Sequence, residues 1–403
     1  MSRRRHIAYI ALGAATLMCF VGGCRSPGPS ADSSPRTVSA DTTVTVPPPP
    51  PVRTVPPIVL NVKDFGATGD WRTDDTQAIQ RALDAVPPEG ATVFFPAGGY
   101  SVPNGGLISR RTVTLLGVRG LDGSGSRIQV SADDVVGVEL DGGGSVLDSM
   151  EVTKPETSAS SASVGVLMSS DFAQMYSSRI SGFGVNLRIA GTYYSVSYSS
   201  FRDFYHAGVE INNTVASGDA GDGTITASTF ERNTETPLGG SGVHWIAGGG
   251  LRFINNKING EKSLENGIFF EPGAGVDTSV LLVNGNSIEN FVGAGVLMLP
   301  GVGHLRNSLI VSDNEIASYD EAIRRSQGIA IDEDVSSVAI NGNSIYSTGS
   351  GITLQSVKGA TVAGNSLTKI FNDGIVVGDR AEHVVLGEQS IEVIGGREIV
   401  YSP

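Results

Sequence analysis

A glycine followed by an apolar–x–apolar triplet returns again and again along this chain. It stands at Gly165, Gly184, Gly208, Gly242, Gly267, Gly295, Gly328, Gly351 and Gly374. The shortest interval is 19 residues, Gly165 to Gly184, and the longest is 34, Gly208 to Gly242. A repeat of that length signals stacked supersecondary units. The two positions flanking x are apolar in every copy, from Val166 and Met168 to Ile375 and Val377. Period-two apolarity over so few residues predicts a short strand with one face always buried. Strands this short, repeated this often, cannot each build a core; they must stack on one another.

A second signature falls within each repeat, an Asn-x-apolar unit at Asn256, Asn286, Asn314, Asn343 and Asn365. Serine takes the same place earlier, at Ser178, Ser199 and Ser228. An amide recurring at one corner of a coil predicts a hydrogen-bonded ladder along the stack. The expectation is a single all-β solenoid with coils about 4.8 Å apart.

The segment before the repeats has a different pattern. It runs Val62-Lys-Asp-Phe-Gly-Ala-Thr-Gly-Asp-Trp-Arg-Thr-Asp-Asp75, then Ala91-Thr-Val-Phe-Phe-Pro-Ala-Gly-Gly-Tyr100 after a gap. Val62 to Phe65 reads as a short strand. Asp74 or Asp75 can cap a helix whose apolar stripe is Ala78, Ile79, Ala82, Leu83 and Val86. Pro87, Pro88 and Gly90 end that helix. It is suited to plugging the open end of a solenoid. This segment resembles the opening of the pectate-lyase-like superfamily, which includes polygalacturonases, exo-glucanases, epimerases and phage tailspikes. The resemblance implies a single-stranded right-handed parallel β-helix over residues 58–403, with 58–100 as an N-terminal cap containing the capping helix. It also implies carbohydrate chemistry on the outer surface, and a homotrimer as one expected assembly. The Asn-x-Asp, Asp-Asp, Gly-His-Gly and Arg-x-Lys motifs of polygalacturonases are absent from the repeats, which weakens that particular activity.

In a filled solenoid, function lies on outward positions. Counting two residues on from each glycine gives a column Leu167, Asn186, Glu210, His244, Phe269 and onward. Counting four gives Ser169, Arg188, Asn212, Ile246 and Glu271. Glu210 and His244 fall in successive coils, and a carboxylate beside an imidazole suits general acid–base work. The plainer alternative is a surface hydrogen-bonded pair. Arg188 is expected beside Asn212 and can clamp a sugar carboxylate bidentately. Asp203, His206 and Glu231, in the turns before these strands, complete the catalytic candidates; Lys262 and Glu271 join the substrate-binding ones. Tyr193 and Tyr194 are candidate rings for stacking on sugars. Asp219 and Asp222 lie in a Gly-rich insertion that is a weak calcium candidate.

A net charge of −13 and a pI near 4.8 argue against nucleic acid as partner. Arg3 to Arg5, an apolar run from Ile7 to Val21, and Gly22-Gly23-Cys24 resemble a bacterial lipoprotein signal over residues 1–24, with Cys24 lipidated. Residues 25–57, rich in Ser, Thr and Pro, read as a disordered tether. The chain has no cysteine after Cys24, so the mature domain relies on packing rather than disulfides. These features predict an extracytoplasmic location, with membrane contact only through the lipid.

Two functions fit this reading. One is a polysaccharide-degrading enzyme, either a hydrolase with two carboxylates at the proper spacing or a lyase with a base and a cation. The other is a glycan-binding or envelope-structural solenoid without catalysis.

Overall fold

The computed structural model describes residues 58–402, apart from 121–123, 156–161, 214–221, 233–237, 273–279, 301–307 and 319–323. Cys24, the tether and Asp219 lie outside the described residues, as does the Lys262 side chain. Every strand pairing among the described residues is parallel, and the strands gather into sheets of 13 and 23. The smaller sheet is one stack, and the pairing separates the larger into two more. The first stack includes Ser195–Ser197, Gly223–Thr226 and Leu251–Ile254. The second includes Arg179–Ser181, Ser200–Arg202 and Thr229–Glu231. The third includes Val185–Ile189, Ala207–Asn212 and Gly239–Ala247. The chain visits them in that order once per coil, and this is the expected parallel β-helix.

The period-two residues fill the interior. Val209, Ile211, Val243, Trp245, Ile268 and Phe270 are all buried, as are their counterparts along the stack. Every repeat glycine except Gly184 faces a neighbouring coil. A Cβ on Gly328 would come within 2.6 Å of the Gly351 carbonyl oxygen and 2.5 Å of Ile345 Cγ2. Close coil-to-coil approach, not turn formation, therefore fixes these glycines.

The corner between the first and second stacks carries the ladder. Asn256 Nδ2 donates to Asn286 Oδ1 at 3.2 Å, and Asn286, Asn314 and Asn343 each donate to the next amide at 2.9 Å. The same Nδ2 groups also donate to backbone carbonyls, as Asn314 does to Val283 O at 3.0 Å. Gln389 accepts from Asn365 as a further rung. The serines run the same way with shorter reach: Ser228 Oγ accepts the Ser199 N–H, and Asn256 Oδ1 accepts the Ser228 N–H. These buried groups are satisfied rung by rung, so they hold the corner.

The cap differs from expectation in detail. The strand is Val59–Asn61, and Val62–Phe65 is a 3-10 turn ended by Gly66 at φ 98°. The helix spans Thr76–Asp84 and buries Ala78, Ile79, Ala82 and Leu83. Asp75 precedes it but does not cap it: its carboxylate accepts the Thr68 and Gly69 N–H groups instead. Asp74 accepts the Thr76 N–H at 2.9 Å and does the capping. Gln80 accepts the Ile108 N–H and donates to the Ile108 carbonyl, at 3.1 and 2.9 Å. The helix thus meets a third-stack edge strand with a side-chain amide acting as backbone.

Candidate active site on the third stack

Stacking puts one outward residue per coil in line. On the third stack the column runs Glu139, Leu167, Arg188, Glu210, His244, Phe269, Leu297, Ala330 and Thr353. Glu210 does stand opposite His244, as the spacing predicted. Arg188, however, lies opposite Glu210 rather than Asn212. In that coil Gly184-Val-Asn-Leu-Arg-Ile189 offers three apolar residues at period two, and the glycine is two places early. Val185 aligns with Val164 and Ala207, so Asn186 occupies the glycine position of the neighbouring coils.

Asn186 is accordingly buried, a correction to its outward placement. Its amide donates to the Ile180 and Arg202 carbonyls and accepts the Phe183 N–H. Both its N–H donors and its carbonyl oxygen go to the coil corner. Asn212 pairs with Ala247 beyond a bulge, away from Arg188. Tyr194 is also corrected: its ring is 5% exposed and packs where a side chain on Gly223 would sit. Burial, with Asp222 adding, pushes its phenol well above the usual range.

Four ionisable side chains meet on this face as two pairs. Arg188 Nε donates to Glu210 Oε1 at 2.6 Å, with Nη2 to Oε2 at 3.4 Å. Glu210 is 8% exposed, so its charge is largely enclosed by its neighbours. A guanidinium has five N–H donors, so the edge of Arg188 not facing Glu210 retains three. His244 Nε2 lies 2.9 Å from Glu271 Oε2, and its ring stacks on Phe269, 4.9 Å between centroids and 9° apart. Glu271 therefore orients the imidazole, the part expected of Glu210. With Nε2 donating to Glu271, the lone pair of neutral His244 resides on Nδ1.

Tyr193 follows the Arg188 strand and stacks on Phe172 from the preceding coil, 5.1 Å apart and 7° from parallel. Both rings are about half exposed. Phe172 was missed in the sequence because it lies between repeats. Glu139 was missed although Gly137-Val-Glu-Leu140 carries the same glycine signature one coil earlier.

Asp203 and Glu231 belong elsewhere, at the C-terminal ends of second-stack strands. They line a groove of about 390 Å³ with Arg202, Arg232, Asn259 and Glu261. Arg202 Nη2 lies 2.7 Å from Glu231 Oε2. Arg232 is buried, donates to Ser263 O at 2.9 Å, and is lowered to about 10 by burial, against the pull of Asp203 and Tyr205. His206 is exposed, and its backbone ties Gly184 to Ser241. Asp222 accepts the Gly250 N–H at 3.0 Å and lies 4.0 Å from Arg252. Among the described residues no three histidines or carboxylates gather as a metal site.

Residues 59–126 match the family described as "Rhamnogalacturonase A/epimerase, pectate lyase-like". The fold is a parallel β-helix, and the family match covers only its first part. One segment of the chain is 48% identical over 64 residues to alginate lyase 7 of Azotobacter vinelandii, covering 14% of this chain and 8% of that protein. The β-helix superposes on the A-module of the A. vinelandii mannuronan C-5 epimerase AlgE6 with a TM-score of 0.59 and 16% identity, covering 85% of this chain and 99% of that one. It superposes on the tailspike protein of E. coli bacteriophage HK620 in complex with pentasaccharide with a TM-score of 0.60 and 15% identity, covering 82% and 65%. These distant superpositions establish the fold, and the curated relative is matched over less than a tenth of its length.

Proposed function

We propose that this protein acts on acidic polysaccharides by removing the proton at C5 of a uronate, as a lyase or an epimerase. One observation carries the reading: His244 is held by Glu271, two coils along the column from a guanidinium already neutralised by Glu210. Nδ1 of His244 would accept the C5 proton. The remaining N–H edge of Arg188 would hold the uronate carboxylate, whose negative charge grows as that proton leaves. In elimination, the C5 electron pair forms the C4–C5 double bond and the C4–O bond breaks. The imidazolium returns its proton to the leaving oxygen, so the histidine ends as it began. Tyr193 and Phe172 would support a neighbouring sugar. Both carboxylates of this centre are engaged by cationic or imidazole partners, which disfavours the two-carboxylate hydrolase there. Kinship with an alginate lyase, over the matched segment, is consistent with uronate chemistry.

A second reading places hydrolysis in the 390 Å³ groove, where Asp203, Glu231 and Glu261 converge around Arg202 and Arg232. A non-catalytic glycan-binding role is the third. A panel of polyuronates and neutral glycans separates them. Unsaturated product by ultraviolet absorbance, or deuterium uptake at C5, supports the first reading. New reducing ends without unsaturation support the second. Binding without any product leaves the third.

We also propose that the domain works outside the cytoplasm, joined by residues 25–57 to a lipid on Cys24. No helix among the described residues is long and apolar enough to cross a membrane. Labelling with radioactive palmitate, lost in Cys24→Ala, tests the anchor.

A further inference from the structure

Four bulky aromatic residues on the outer surface hold a backbone conformation that suits glycine: Phe172 and Tyr193 near the Arg188 strand, and Trp71 and Tyr198 away from it. Trp71 has φ 72° and Tyr198 has φ 52°. Non-glycine side chains adopt this region at a cost, and bulky ones are uncommon there. Tyr198 sits at the corner between the first and second stacks. Equivalent corners hold Ser149, Ser177, Ala227, Asn255 and Gly285, all at positive φ. The corner therefore has no need of a ring. Tyr198 is 59% exposed, so burial does not account for it either. Trp71 is 42% exposed and lies directly over Gly99, where a Cβ would come within 2.0 Å of the indole.

The two rings mark the ends of one track on the outer face of the second stack. Gly99, Arg127, Glu151, Arg179 and Ser200 are successive register partners. Four coil steps of roughly 4.8 Å span about 19 Å, the reach of a short oligosaccharide. The Arg127 guanidinium lies 5.0 Å from the Trp71 ring centroid and 2.7 Å from Glu151. Arg179 approaches the same carboxylate at 3.7 Å. At the other end a groove of about 80 Å³ is bounded by Arg119, Ser149, Glu151, Arg179 and Tyr198. Tyr176 meets the Tyr198 ring edge-on at 5.5 Å.

We infer that this track is a second carbohydrate-binding surface, distinct from the His244 centre, that holds an acidic polysaccharide chain. Arg127 and Arg179 share one carboxylate here, and Arg119 donates to Ser177 Oγ nearby, on a chain whose net charge is −13. Guanidinium groups with N–H donors to spare recognise carboxylates well. Exposed planar rings match the C–H faces of sugars. The ligand class rests on the preceding reading; the surface itself does not. A binding track beside a reaction centre raises the local supply of a polymeric substrate by multivalency.

The strained backbone supplies the test. Trp71→Gly and Tyr198→Gly relieve the positive φ while removing the rings. In the full chain, each should melt at or above the wild-type temperature and bind polygalacturonate and polymannuronate at least about tenfold more weakly. Retention in gels containing each polymer reads the binding, with dextran as neutral control. Arg179→Gln, on an exposed side chain, should weaken binding without touching either ring or the fold. Turnover of a short uronate oligomer at the His244 centre should be unchanged in all three. Loss of turnover on long polymer alone would appear as a raised KM. Wild-type retention by all three variants overturns the inference, as does equal retention in dextran. A lower melting temperature with unchanged binding assigns the rings to packing and overturns it too. Absence of turnover in the wild type removes the proposed reaction while leaving this measurement intact.

Discussion

The ladder corner and the third-stack outer column are built from the same coils, yet they behave oppositely. At the corner the residue repeats: asparagine follows asparagine from Asn256 to Asn365. On the outer column it changes at nearly every step, from Arg188 to Glu210, His244, Phe269 and Leu297. Stacking imposes one local problem many times over, and a fold that solves it uses the same side chain each time. Positions that depart from repetition are those on which stacking makes no demand. Apart from Glu139, the ionisable residues of the column occupy successive coils from Arg188 to His244, before it turns apolar and small.

The sharpest way to break this contrast is His244→Ala. If the outer column carries chemistry, kcat should fall by roughly 10²–10⁴-fold with little change in melting temperature. Steady-state kinetics alongside calorimetry reads both. The corner should answer in the reverse sense. Asn314→Ala removes a side chain that donates to Val283 O and Asn343 Oδ1 and accepts from Asn286. A loss of about 2–4 kcal/mol is expected from denaturant unfolding, with activity per folded molecule kept.

Arg188→Met tests a residue on the border between the two kinds. It leaves Glu210 enclosed without its partner. A buried pair broken on one side costs roughly 3–5 kcal/mol, but Arg188 is over a third exposed, so about 2 kcal/mol is expected. Glu210→Gln should recover part of that stability without restoring turnover. The smallest effect is alkaline. Burial, with Asp75 adding, raises the Tyr100 phenol from 10.0 to about 12. The folded state then keeps a proton that the unfolded chain releases, so stability falls as pH rises from 10 toward 12. Tyr100→Phe should flatten that decline in urea titrations at successive pH values, at the cost of the bond to Pro96 O.

The sequence conveyed the repeating parts well. Glycine and asparagine spacing located the strands, the ladder and the opposition of Glu210 and His244, because each is a periodic property. It conveyed single coils less well. Three apolar residues at Val185, Leu187 and Ile189 left two possible registers, and packing against Ala207 and Val209 chose between them. Which acid serves the imidazole was equally hidden. Glu271 reaches His244 diagonally, and diagonal reach depends on side-chain direction rather than on column position. Tyr194 faces inward because Gly223 in the next coil leaves room for its ring, a fact about a neighbour and not about the tyrosine.

Gln80 engages both backbone groups of Ile108 from the capping helix. A side chain in that position denies an incoming extended peptide its first pair of anchoring bonds. End-to-end polymerisation through this margin is thereby disfavoured.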